Sequence, residues 1–310
     1  MLTVLVGLTA ALVYGFADFI GGIASKRVSA IRVTAIGALS GLVVLFAALP
    51  LLGGEWSWSA VLYGGISGVT GAIAITLLYA CLAIGPMSIL SPLTALVSAF
   101  VPLMAGVLRG ERLPLLGYIA IGIALVAVVL VGIVKEETAV RPTLTGLLMA
   151  IGSGTMIGAF LILIDLTPDD SGLVPLIANR GVNAVVMFSV IGVLALVAAR
   201  RGRSATVTGA AVTGTATTDV GGSRPVGLLS VGWRAGFWLA VSCGMIDAIA
   251  NVLLLWGLRI GDLSVMAVLT ALYPAGTIIL AAVVLRERIA PLQGVGLVLA
   301  LVAAGMLALA

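Results

Sequence analysis

The sequence contains no histidine, only two cysteines and few charged residues, which make up 9% of the chain. The absence of histidine excludes hydrolases that use a histidine base, histidine metal ligands and histidine pH switches. Cys81 and Cys243 lie inside apolar runs and provide neither a disulfide framework nor metal-ligand spacing. No phosphate-binding loop or dinucleotide fingerprint is present. We therefore expect no enzyme, no cofactor and no bound metal.

The chain is dominated instead by hydrophobic residues, which occupy 62% of its 310 positions. Soluble domains carry about 25% charged residues, and a core of this length cannot hide so much apolar surface from water. Lipid must therefore be the solvent for much of the molecule. We expect the net charge of +4 to reflect orientation signals in the loops rather than a nucleic-acid partner.

Ten apolar segments each approach the roughly 20 residues that a helix needs to cross the hydrocarbon core. The first is interpreted as a retained helix, because it lacks the basic start and the cleavage site of a signal peptide. Residues 199–225 are rich in threonine, alanine and glycine, which predicts a disordered loop over 200–232. The ten predicted segments cover approximately residues 2–24, 33–53, 59–83, 87–108, 113–134, 143–166, 172–199, 233–258, 263–285 and 290–309.

An internal repeat relates the two halves of the chain. The stretch "IGPMSILSPLTAL" begins at Ile84, and "IGDLSVMAVLTAL" begins at Ile260. Over residues 84–112 and 260–288, 12 of 29 positions are identical without a gap, which indicates a true repeat. Ile84 ends the third predicted helix and Ile260 ends the eighth, so the repeat unit has five helices. Because five is odd, the second copy must cross the membrane in the opposite sense, an architecture typical of secondary transporters.

We therefore predict an all-α polytopic membrane protein with ten transmembrane helices, arranged as two inverted five-helix repeats. The first repeat covers residues 1–134, a linker covers 135–142, and the second repeat covers 143–310. With "GERLPLLG" at 110–117 and "RERIAPLQG" at 286–294, the chain resembles the drug/metabolite transporter superfamily, EamA type.

The resemblance implies transport of a small molecule through a central cavity. In this family, helices 1–4 and 6–9 mainly line the cavity, and helices 5 and 10 are peripheral. The acidic residue that follows the fourth helix of each half falls on Glu111 and Glu287, and the second copy departs from the pattern with Arg286 in place of Gly110. Solvated helix capping explains both glutamates without a binding site.

Three charged residues, Asp18, Arg180 and Asp247, are placed well inside predicted spans. A charge in hydrocarbon costs at least about 2.5–3.5 kcal/mol, so such residues usually face a cavity or the interior of a helix bundle. The alternative is an Asp–Arg pair that only holds helices together. Polar and aromatic neighbours on the same helices, or near them, complete the predicted substrate or proton pathway: Asp18, Asp247, Arg180, Asn251, Asn183, Tyr14, Trp256 and Tyr273.

Two intramembrane protease alternatives fit poorly. The motif "GISG" would make Ser67 a nucleophile, but that chemistry uses a histidine base, which the chain lacks. Asp18 and Asp247 could form an aspartyl dyad, but neither lies in the sequence context of those proteases.

The sequence thus predicts a secondary transporter of a small metabolite or drug, working by alternating access with or without proton coupling. An uncoupled facilitator and a non-transporting scaffold or sensor are the alternatives. The expected partners are a small-molecule substrate and the lipid bilayer, and no nucleic acid. The sequence leaves the oligomeric state open, with a homodimer as one option.

We expect the protein in the cell membrane. Basic residues are distributed twelve to three between the two sides, which predicts both termini outside and the 200–232 loop in the cytoplasm. The usual orientation of the superfamily, by resemblance, has the termini inside. The richer side holds Lys26, Arg27, Arg32, Lys135, Arg141, Arg200, Arg201, Arg203, Arg224, Arg234, Arg286 and Arg288, and the other holds Arg109, Arg112 and Arg259.

Overall fold

The protein is described here by a computed structural model, which covers residues 1–25, 27–84, 87–132, 143–208, 236–284 and 290–310. These residues form eleven α-helices and no strand, with a 3₁₀ turn at Asp169–Ser171. The helices are α1 (Leu2–Ser25), α2 (Ala30–Leu52), α3 (Trp58–Ile84), α4 (Met87–Leu108), α5 (Leu115–Gly132), α6 (Leu144–Asp165), α7 (Val174–Thr208), α8 (Phe237–Ile260), α9 (Leu263–Thr270), α10 (Tyr273–Val284) and α11 (Pro291–Leu309).

The helices are long and apolar because the sequence consists of continuous hydrophobic runs. Among the described residues, seven helices are long and apolar enough to cross a membrane, and three shorter apolar stretches accompany them. The prediction of an all-helical integral membrane protein with several spans is therefore confirmed. The seven span candidates lie at Leu2–Ser25, Ala30–Leu52, Trp58–Leu78, Leu144–Asp165, Val174–Val197, Phe237–Ile260 and Pro291–Leu309.

The ninth predicted segment, 263–285, is not one helix. It is interrupted at residues 271–272, between α9 and α10. Pro274 is the second residue of α10, where its missing N–H would have no partner inside the helix in any case. In α4, by contrast, the helix continues through Pro102.

The seventh helix is longer than predicted. Residues 200–208 are the last part of α7, whereas the sequence predicts that a disordered loop begins at residue 200. The helix continues because residues 200–208 contain neither proline nor a pair of glycines that would end it. The remainder of that predicted loop up to 232, the linker 135–142 and Glu287 lie outside the described residues.

Helices of the first half pack mainly on helices of the second half. α1 contacts α8 while α6 contacts α3, and α2 contacts α8 while α7 contacts α3. Likewise α1 contacts α9 and α10 while α6 contacts α4, and α5 packs against α11. Each of these contacts has a counterpart when every segment is exchanged for the one five places away, with α9 and α10 counted as one segment.

Glycines allow the closest of these approaches. A side chain at Gly64 would overlap the backbone of Pro175, and one at Gly68 would overlap the carbonyl oxygen of Asn179. The four-residue spacing therefore brings the backbone of α3 against that of α7, as the sequence suggests for small residues on one helix face.

Both chain ends lie at one face of the bundle, which we call the terminal face. The hydroxyl of Thr3 donates to the carbonyl of Ile260 at 3.2 Å, so the start of α1 meets the end of α8. Ala310 lies beside Gly117 at the start of α5. The terminal face therefore also carries the connections α2–α3, α4–α5, α6–α7 and α8–α9.

Candidate functional site

A cavity of about 160 Å³ lies between the two halves. Residues from α1, α3, α4 and α6 to α10 line it, while α2, α5 and α11 contribute none in the described part of the chain. This matches the implied peripheral position of the fifth and tenth helices, but not the implied lining role of the second. The lining residues are Tyr14, Asp18, Gly71, Ala74, Ile75, Leu78, Ser98, Ile157, Phe160, Leu161, Asn179, Arg180, Asn183, Asp247, Asn251, Leu254, Ala267, Thr270, Ala271 and Tyr273.

Helix α1 places Tyr14 and Asp18 on the same wall, because residues four apart share a helix face. The orientation of that face is fixed by close contacts on either side. Gly15 lies against Gly276 of α10 with no room for a side chain. The thiol of Cys243 on α8 donates to the carbonyl of Ala17 at 3.2 Å.

Helices α7 and α8 are joined inside the cavity by an ion pair between Arg180 and Asp247. Asn251, one turn further along α8, donates to the Asp247 carbonyl at 2.8 Å and to its carboxylate at 3.3 Å. The pair holds two helices together, as the alternative interpretation of the sequence expects. Both of its side chains also border the cavity, so pinning and substrate contact are compatible here.

The asparagines of α7 have contrasting environments. Asn179 donates to the hydroxyl of Ser67 at 2.8 Å, and Ser67 donates to the Gly64 carbonyl at 2.6 Å. Ser67 is fully buried and serves to hold α3 and α7 together. Asn183 is only 6% exposed, and its Oδ1 has no hydrogen-bond partner among the described residues.

Asp18 is the other carboxylate of the cavity. Within the described part of the chain, no ion pair or hydrogen bond to its carboxylate is present. With Arg180 and Asp247 neutralising each other, the ionised cavity carries one uncompensated negative charge. An unpaired charge away from water is unfavourable unless a ligand or a proton compensates it.

The structure brings together seven of the eight residues that the sequence selects for the pathway. Trp256 is the exception: it does not line the cavity, and its side chain is 49% exposed on the outside of α8. Residue 256 is nine positions from Asp247, which turns its side chain through about half a circle at 3.6 residues per turn. The expectation that Trp256 contributes to this site is therefore wrong.

Several apolar residues of the site were not selected from the sequence. Gly71 and Ile75 of α3 line the same cavity as Asp247 and Asn251 of α8. The 176-residue offset of the repeat pairs Gly71 with Asp247 and Ile75 with Asn251. Once Asp247 and Asn251 are selected, the repeat therefore points to Gly71 and Ile75 as further residues of the cavity.

Polar contacts connect the two halves at the terminal face. Arg109 at the end of α4 forms an ion pair with Asp165 at the end of α6, at 2.7 Å. The connection after α2 also bonds to the connection after α6: Glu55 N–H donates to the Asp170 carbonyl at 2.9 Å. In the second half, Arg259 donates to the Thr167 carbonyl at 2.6 Å.

Glu111 links the halves most directly. Its carboxylate accepts from the backbone N–H groups of Leu263 and Ser264, each at 3.1 Å, and from the Ser264 hydroxyl. It therefore caps the N-terminus of α9, where the helix dipole favours a negative charge. Capping is confirmed for this residue, but its partners belong to the other half, so it is not simply solvated.

A glycine turn aims Glu111 at α9. Gly110 has φ +95°; its N–H donates to the Val107 carbonyl and the Glu111 N–H donates to the Gly106 carbonyl, both at 3.0 Å. These two bonds form a Schellman motif at the end of α4, in which glycine accepts the left-handed conformation at low cost.

Comparison with known proteins gives one family and one fold. Residues 1–133 match the EamA-like transporter family. A solved structure described as "Crystal structure of protein" resembles the chain with a TM-score of 0.68 and 16% identity, over 99% of this chain and 96% of that one. At this identity the likeness shows the fold alone. No curated protein matches the sequence.

Proposed function

We propose that the protein is a secondary transporter, because residues 1–133 match the EamA-like transporter family, which is part of the drug/metabolite transporter superfamily. It moves a small metabolite or drug across the membrane by alternating access. The resemblance drawn from the sequence is thus confirmed at the level of the family, which points to a transporter and not to an enzyme.

The cavity between the halves carries this proposal. It is bordered by helices of both halves, so a movement of one half relative to the other would change its access to water. Arg109–Asp165 and the Glu111 cap bridge the halves at the terminal face. These contacts support a state in which the cavity is closed on that side, and their release would open it.

The pattern of helix contacts supports an inverted repeat. Contacts such as α1 with α8 and α3 with α6 exchange when each segment is replaced by its counterpart five segments away. A two-fold relation in the membrane plane gives such a pattern, and it makes inward-open and outward-open states related by exchange of the halves. We propose ten spans in this arrangement, with α9 and α10 as one discontinuous span.

Filling the cavity tests the proposal. Gly71 lines it, and a side chain added there meets the Asn183 amide nitrogen at ordinary contact distance, so Gly71→Leu should fold while occupying substrate space. Gly192 on α7 is exposed and has open space around it, which makes Gly192→Leu a matched control. We expect Gly71→Leu to lose at least about 90% of solute uptake in proteoliposomes and Gly192→Leu to retain it.

The solute screen for that assay covers amino acids, sugars, nucleosides and organic cations. Uptake of none of them above empty liposomes would favour a scaffold or sensor. Uptake that Gly71→Leu leaves intact would place the route elsewhere. An uptake that ignores an imposed pH gradient would favour an uncoupled facilitator, whereas coupling would place the proton on Asp18 or Asp247, the two carboxylates of the cavity.

A further inference from the structure

We infer, resting on the proposed transport function, that the cavity selects a small protonated amine with an apolar body. The substrate class is thus an organic monocation, held by Asp18 and Asn183, rather than an amino acid, an anion or a sugar.

The charges at the cavity favour a cation. The cavity lining contains one basic and two acidic side chains: Arg180 is paired with Asp247, and Asp18 has no ion-pair partner among the described residues. A monocation would neutralise the remaining carboxylate without disturbing the pair. An anion would have to displace Asp247 from Arg180 and would still leave Asp18 unpaired.

The hydrogen-bonding groups favour a donor. The Oδ1 atom of Asn183 is a buried acceptor without a donor in the described structure, and such atoms normally find a partner. The Asp18 carboxylate is a second acceptor on the same cavity. An ammonium group provides three N–H donors and no acceptor, so it can compensate the Asp18 charge and still donate to a further acceptor such as the Asn183 amide. A hydroxyl provides one donor and leaves the charge uncompensated.

The apolar part of the lining suits an apolar body. Ile75 on α3 and Ile157, Phe160 and Leu161 on α6 line the cavity. The volume of about 160 Å³ is close to the roughly 150 Å³ of an apolar cavity that binds benzene. Aromatic rings at a cavity of this kind also attract a cation at close range. One ring or a short hydrocarbon chain therefore fits.

Four compounds that share a phenyl ring and a two- or three-carbon arm separate the possibilities. Phenethylamine is a cation, 2-phenylethanol is neutral, phenylacetate is an anion and phenylalanine is a zwitterion. Binding to the purified full-length protein in detergent is measured by titration calorimetry at pH 7. We expect phenethylamine to bind at least tenfold more tightly than each of the other three.

The variants test which residue recognises the charge. Asp18→Asn should weaken phenethylamine binding at least tenfold and leave 2-phenylethanol nearly unchanged. Asn183→Ala should weaken phenethylamine by a smaller factor. Asp170→Asn makes the same chemical change at an exposed loop position and should bind all four compounds like the wild type.

Contrary results distinguish a wrong substrate class from a wrong transport function. Tighter binding of phenylalanine would show that Arg180 takes a carboxylate, and equal binding of 2-phenylethanol would show that charge does not select; either overturns the inference and leaves transport standing. If none of the four binds while proteoliposomes transport another solute, the substrate class is wrong. If no solute is transported at all, the proposed function fails as well. The wild-type series decides the question even if a variant does not fold.

Discussion

At the scale of single residues, Arg180 and Asp247 combine two roles that sequence reasoning treats as alternatives. Their ion pair joins α7 to α8, and both border the cavity. Replacing one partner leaves the other charge without compensation, which in a fully buried pair costs about 3–5 kcal/mol. Because the Asp247 side chain is 28% exposed, the cost here should be nearer 1–3 kcal/mol.

Asp247→Asn is therefore expected to abolish transport and to lower the melting temperature in detergent. Adding Arg180→Gln to that variant removes the unpaired cation, so the double variant should regain most of the thermal stability but no transport. Thermal unfolding and proteoliposome uptake of the two variants measure the two effects separately. Full transport by a stable double variant would show that the pair is structural alone.

The scarcity of charge makes much of this site predictable from the sequence. Asp18, Arg180 and Asp247 stand out because few charges are tolerated in hydrocarbon, and each does lie at the cavity. Trp256 is close to Asn251 along the chain, but its position on α8 turns it away from the cavity. The apolar wall could not be recognised from residue type, since an isoleucine or phenylalanine at a cavity looks like any other in a lipid-facing helix.

At the scale of elements, α9 is a short helix that is capped at its first residues and interrupted after its last. The carboxylate of Glu111, from the other half, accepts from two of the free N–H groups at the N-terminus of α9. The sequence places a proline at 274 but does not decide between a kink and a break, because neighbouring helices determine whether the freed backbone groups find partners.

Removing this cap should loosen the terminal face. A lost side-chain cap costs about 0.5–2 kcal/mol, so Glu111→Ala should lower the melting temperature by a few degrees. It should also speed the reaction of a cysteine placed at Thr270, which lines the cavity on α9, with a water-soluble thiol reagent. The assay uses a background in which Cys81 and Cys243 are replaced by alanine.

Glu55→Ala is the control for that experiment, because Glu55 is an exposed acidic residue of the same face whose hydrogen bond to Asp170 uses only its backbone N–H. We expect it to leave the labelling rate unchanged. If Glu111→Ala labels no faster than Glu55→Ala, the cap stabilises α9 but takes no part in opening the face.

At the scale of the whole molecule, a near-symmetric scaffold encloses an asymmetric cavity. Helix contacts exchange between the halves, yet the repeat pairs Gly71 with Asp247 and Ile75 with Asn251. Packing requires small residues where helices cross, whereas residues at the cavity are free of that constraint and can differ between the halves. The proposed repeat therefore accounts for the pattern of helix contacts better than for the chemistry of the site.

The orientation of the whole molecule is the remaining expectation that one measurement can decide. The loops assigned to the terminal face carry Arg109, Arg112 and Arg259, and the sequence assigns four times as many basic residues to the other side, which predicts that the terminal face lies outside. Arg109 and Arg259 are further engaged by Asp165 and Asp169, so they are poor cytoplasmic anchors.

Cysteine labelling in the same cysteine-free background tests this orientation. A cysteine at position 55, exposed on the terminal face, should react in intact cells with an impermeant maleimide. A cysteine at position 213, between α7 and α8 in the sequence, should react only after permeabilisation. The reverse pattern would give the orientation that is usual for the superfamily, with the termini inside, and would show that the ion pairs of the terminal face form on the cytoplasmic side.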